Sequence, residues 1–171
     1  MTEDTFWELI DQSRAETEGN AEGQVWELES LLLKREADDA IAFVKHLQRI
    51  LANSFTAPLW EVSYLINLDD REDTFEFFRA RMLLQGKEAF ELIQENPDAI
   101  IDYIDEREVK KDSKLQSPEL LSIGFSVWEE LTGNFPEDMP LDRLEVELSA
   151  EPNLEEAHLE EEYPLLWEMF G

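Results

Sequence analysis

The chain contains no cysteine, which excludes a disulfide framework, a Cys-ligated zinc site and a thiol nucleophile. Positive charge is also scarce. Fourteen Lys and Arg face forty-two Asp and Glu, a formal −28 over 171 residues. A field of that sign repels nucleic acid and anionic membrane and concentrates cations and basic proteins. The six glycines are scattered, so no phosphate-cradling loop or dinucleotide fingerprint is present. No apolar run approaches the roughly 20 residues needed to span a membrane. The opening Met1-Thr2-Glu3-Asp4 lacks the basic and apolar regions of a secretory signal. The expectation is a soluble, cytoplasmic protein with no cofactor, no membrane contact and no nucleic-acid partner.

What is present is enough to fold. Ten Phe, five Trp and three Tyr, with 43% hydrophobic residues overall, set the chain apart from disordered acidic sequences, which lack such groups. The length suits one domain. Burial at roughly 25 cal/mol per Å² of apolar area offsets the self-repulsion of the acids.

Apolar residues recur at steps of three and four, which predicts helices throughout. The first is expected from about Thr2 to Glu18, burying Phe6, Leu9, Ile10 and Ser13, started at Thr2 or Thr5 and stopped by Gly19-Asn20. A second carries Val25, Leu28, Leu31 and Leu32 and fades near Lys34. A third, from about Ala37 to Phe55, has the broadest apolar face: Ile41, Phe43, Val44, Leu47, Ile50, Leu51 and Phe55. Pro58 fits the first turn of a fourth, through Trp60, Tyr64 and Leu65. The turn Asp69–Asp73 leads into Phe75, Phe78 and Met82, with Gly86 as a stop. Short helices follow near Ala89–Ile93 and Ile100–Ile104, with Asn96 as cap and Pro97 opening the second. Residues 105–117 read as an exposed charged loop. From Ser117 another helix buries Leu120, Leu121, Gly124, Val127, Trp128 and Leu131 and ends at Gly133.

The last 38 residues differ in character. From Asn134 to Gly171 there are twelve acids and one base, Arg143, and four of the seven prolines. The segment nevertheless closes on the apolar run Tyr163-Pro164-Leu165-Leu166-Trp167-Glu168-Met169-Phe170. The expected architecture is all-α: a single-domain, irregular bundle of about seven to nine helices over residues 1–133. An acidic, proline-containing extension, 134–171, docks back onto it.

Several segments carry a family resemblance. Phe6-Trp7-Glu8-Leu9-Ile10-Asp11 is followed by Arg14, then Leu59-Trp60 and Tyr64-Leu65-Ile66-Asn67. Phe75-Glu76-Phe77-Phe78-Arg79, Gln85-Gly86-Lys87-Glu88, Asn96-Pro97-Asp98 and Tyr163-Pro164-Leu165-Leu166-Trp167 come next in order. Together these resemble the uncharacterised DUF4240 domain family over most of the chain. The resemblance implies a bacterial, mostly helical domain, sometimes joined to regulatory or interaction modules. It brings no established activity and no catalytic residues.

Candidate chemistry is sparse. Glu155-Glu156-Ala157-His158 with Glu161 and Glu162 places carboxylates and an imidazole on one helix face, but a solvated acidic face is the plainer account. The turn Asn67–Asp73 lacks the glycine and the final glutamate of an EF-hand loop, so helix capping explains its acids better. None of Ser13, Ser54, Ser63, Ser122 and Ser126 lies in a nucleophile elbow. With so many acids, any chosen carboxylate pair carries little information. No catalytic or metal-ligating residue is assigned. The candidate binding surface is Trp7, Arg14, His46, Arg49, Trp60 and Tyr64, scarce cations beside aromatics within the family-like segments. The plainer alternative makes Asp11 and Arg14 a local pair and puts Trp7 and Trp60 in the core.

Three functional expectations result. The first is an acidic interaction or regulatory module that binds a basic protein partner. Its sharper form is a nucleic-acid-mimicking inhibitor or immunity-type neutraliser. The third and weakest is an enzyme with a carboxylate and histidine site.

Overall fold

A computed structural model describes residues 1–104 and 114–171. Among these residues no strand occurs and the fold is all-α, as the periodicity predicts. Helix α1 spans Glu3–Glu16, and Thr2, not Thr5, is its cap: its hydroxyl accepts from Thr5 N. Helix α2 (Ala21–Leu33) is capped by Asn20, whose side chain accepts from Gly23 N. Helices α3 (Ala37–Asn53), α4 (Ala57–Asn67), α5 (Glu72–Leu83) and α6 (Lys87–Glu95) follow. Pro97–Tyr103 forms a 3-10 helix where a short α-helix is expected, and Asn96 makes no side-chain cap to it. Helix α7 spans Leu120–Thr132 and ends on left-handed Gly133. After a 3-10 turn at Pro136–Asp138, the chain runs without regular structure to α8 (Glu156–Glu162) and α9 (Pro164–Phe170).

One hydrophobic core unites these elements. Phe6, Ile10, Leu28, Phe43, Phe75, Phe78 and Phe90 are all fully or almost fully buried in it. Helix α7 lies against α3 and α2. The approach to α3 is so close that a Cβ on Gly124 would stand 2.5 Å from Val44 Cγ2. Gly86 sits between α5 and α6 at φ +94°, where an added Cβ would meet Asp11 Oδ1. It is the cap that starts α6, whereas α5, expected to stop at Gly86, already ends at Leu83 with Leu84 as its cap.

The extension returns as expected. Leu159, Tyr163 and Leu166 are buried with the core, and α9 packs on α4 and the first 3-10 helix. Two expectations are corrected. Leu131 is exposed, because the covering of α7 stops short of its last turn, residues 129–132 being exposed throughout, while Ile123 takes a core position. The expected loop at 105–117 lies outside the described residues up to 113, and beyond that it is not exposed throughout. Leu115 and Ser117 are buried, since Leu115 N donates to Asn67 Oδ1 and Ser117 N to Phe77 O. The partners that satisfy this backbone lie far back in sequence. The turn Asn67–Asp73 anchors the same segment: Asp69 accepts from Arg71, Thr74 and Lys114, which together hold its carboxyl well below the usual range.

Candidate functional site

Helix α5 brings Arg79 against α3 with only 5% of its surface exposed. Its Nε donates to Phe75 O at 3.4 Å and its Nη1 makes a short bond to Leu51 O. The guanidinium lies 4.4 Å from the Phe75 ring centroid and 5.0 Å from that of Phe55, within cation–π range. Trp60 stacks on Phe75 from beyond, centroids 4.9 Å apart. Burial pulls the Arg79 pKa down to about 10, against the opposing fields of Glu76 and Glu72. The group therefore stays cationic at neutral pH.

Arg79 lines a groove of about 550 Å³ between α3, α5 and α7. Val44, Leu47, Leu51 and Phe55 form one wall, and Leu121 and Phe125 the opposite one. Glu72 and Glu76 stand beside Arg79 on α5. The irregular stretch Asp142-Arg143-Leu144, with Val146, closes the remaining side. The extension thus forms part of the groove while keeping Leu144 50% exposed.

A second buried charge lies in α4. Glu61, 6% exposed, accepts from Asn153 N at 2.7 Å, His158 Nε2 at 3.1 Å and the Tyr163 hydroxyl at 2.5 Å. Burial first, and the bond to Glu61 second, push the Tyr163 pKa far above that of an ordinary tyrosine. Nearby, buried Asp98 accepts from Leu165 N and Leu166 N, closing the amino end of α9. Three donors and two helix-terminal amides, all from the extension, converge on two carboxylates of the body. The arrangement is a clasp. His158, which the sequence places on an acidic helix face, turns instead to Glu61.

The six candidate residues fall in separate places. Trp7 is buried beside Phe6 and Phe90. Arg14 donates to Gln85 at 3.3 Å across a shallow depression next to Asp11 and Gly86. His46 and Arg49 are brought together, Nδ1 to Nη2 at 3.0 Å, and Arg49 pairs with Glu3 at 2.6 Å. Trp60 supports the aromatic stack under Arg79, and Tyr64 is half-buried against the core. Sequence reasoning missed Arg79 and Glu61. The available signal was a charged residue inside an apolar helical run, Phe77-Phe78-Arg79 and Leu59-Trp60-Glu61-Val62.

A family model described as a protein of unknown function, DUF4240, matches residues 1–130. The chain belongs to the DUF4240 family. No curated protein and no solved structure matches it. The DUF4240 match spans α1 to α6 and nearly all of α7, so Glu61, Arg79 and Asp98 fall inside it. Every group that closes on Glu61 and Asp98 comes from residues beyond it.

Proposed function

We propose that this DUF4240 protein is an interaction or regulatory module whose acidic exterior binds a basic protein partner in the bacterial cytoplasm. The observation that carries this reading is the exposure of every acid on the extension. All twelve acids of residues 134–171 are exposed. Arg79 and Arg81 are buried, and Arg35, Arg49, Arg71, Lys87 and Lys114 each meet a carboxylate of the same chain. Two acids, Glu61 and Asp98, are buried as well, and each ion pair takes up one charge of either sign, so the exterior carries the sequence's full excess of acids. Such a field steers a positive macromolecule into contact and weakens with added salt. The lack of cysteine supports a reducing compartment.

The test leaves the clasp intact. Glu145, Glu147, Glu151, Glu156, Glu160 and Glu161 are changed together to Gln, and both forms are used for affinity capture from native lysate at low and moderate salt. A basic protein recovered by the wild type, lost at moderate salt and lost with the six substitutions, is the expected result. Recovery of the same proteins by both forms, or tight binding of the chain to DNA or RNA, overturns the reading.

A further inference from the structure

Arg35, Arg49, Arg71, Lys87 and Lys114 each have a carboxylate within 3.9 Å, as a chain with three acids per base readily provides. Arg79 has none at ion-pair distance among the described residues. Its Nε and Nη1 bond to neutral carbonyls, its face lies on two aromatic rings, and no described residue accepts from Nη2. A buried guanidinium is costly unless an anion compensates it. This one lines the groove whose walls are Leu47, Leu51, Phe55 and Phe125. The volume suits a small molecule, and the apolar wall of Leu47, Leu51, Phe55 and Phe125 is accompanied by the charged Glu72, Glu76, Asp142 and Arg143.

The neighbours narrow the ligand further. Glu72 and Glu76, seven and three positions before Arg79, are exposed on the same side of α5 and line the same groove. One negative charge is attracted by Arg79, whereas a second meets these two carboxylates, Arg143 across the groove being offset by the adjacent Asp142. We propose that the groove binds a small amphipathic monocarboxylate. Its carboxylate pairs with Arg79 and its hydrocarbon body lies along Leu47, Leu51 and Phe125. Guanidinium and carboxylate match in planar, charge-assisted geometry. This site is independent of the partner proposed above, which depends on exposed acids elsewhere.

Isothermal titration of the full chain with decanoate, below its micelle concentration, tests the proposal, with decyl phosphate and decanol as comparators. Saturable one-to-one binding of decanoate is expected, with both comparators weaker by about tenfold or more. Arg79→Met should weaken decanoate by a similar factor. Ala52→Trp should do the same by filling the groove while leaving Arg79 in place, and it decides the matter if Arg79→Met fails to fold by circular dichroism. Absence of saturable binding overturns the proposal. So does undiminished affinity in either folded variant, or decyl phosphate or decanol binding as tightly as decanoate.

Discussion

Glu61 and Arg79 are charged side chains sunk equally deep in one helical body, 6% and 5% exposed, yet the chain surrounds them differently. Around Glu61 the extension supplies a backbone amide, an imidazole and a phenol. Around Arg79 the chain supplies two carbonyls and two ring faces, and then a groove. A buried charge enclosed by its own chain is a fastening, and its removal should be felt in stability. One left beside a groove offers its charge to something else, so its removal should be felt in binding. The contrast also separates the two parts of the molecule: the extension fastens itself through Glu61 and Asp98, and merely lines the groove at Arg79.

The largest expected effect tests the fastening. Glu61→Ala leaves the Asn153 amide and His158 without their acceptor and the Tyr163 hydroxyl with the longer bond to Pro58 O, and should cost about 2–4 kcal/mol. Urea unfolding reads this directly, and proteolytic cleavage between 134 and 162 should speed up with it. An unchanged midpoint would remove the distinction between the two charges. Next, Gly124→Val forces a side chain into Val44 where α7 meets α3, at a cost of about 2–3 kcal/mol. Thermal denaturation measures whether that groove wall is as tightly packed as its contacts indicate.

Tyr163→Phe should cost about 1 kcal/mol at neutral pH through loss of one hydrogen bond. Its pH dependence says more. Because the folded-state pKa of Tyr163 is raised by burial and by Glu61, its contribution is whole below the unfolded value near pH 10 and is lost as pH rises through the folded value. Alkaline unfolding of the wild type should therefore show a dependence that the Phe variant lacks. The smallest effect is reserved for Arg79→Met, expected within about 1 kcal/mol of wild type in urea, since an unpaired buried charge contributes little net stability. A loss as large as that of Glu61→Ala would show that Arg79 is a fastening as well.

Much of the fold was legible beforehand. The stripe Phe43, Val44, Leu47, Ile50 and Leu51 is buried as its spacing predicts, and Pro58 sits in the first turn of α4. Leu131 was misplaced because periodicity gives a face but not how far along a helix the neighbour extends. The burial of Leu115 depends on an amide 48 positions earlier, which no local pattern records. The candidate surface fared similarly: His46 and Arg49, three residues apart on one helix, do meet, whereas Arg14 and Trp60 serve different neighbourhoods. Scarcity of cations drew attention to exposed or half-exposed bases, while the buried Arg79 looked like part of an apolar run.

By itself the sequence determined helix class, the sign of the exterior and the return of the apolar terminus. Those follow from composition and from spacing within a few residues, which an α-helix converts into faces irrespective of what it packs against. Only the tertiary structure decided which charges would be enclosed and which left open. Glu61 meets His158 across 97 positions, and Arg79 reaches the Leu51 carbonyl across 28. Proximity of that kind arises from how helices stack, and burial is what gives the Arg79 guanidinium, without a carboxylate partner among the described residues, its meaning.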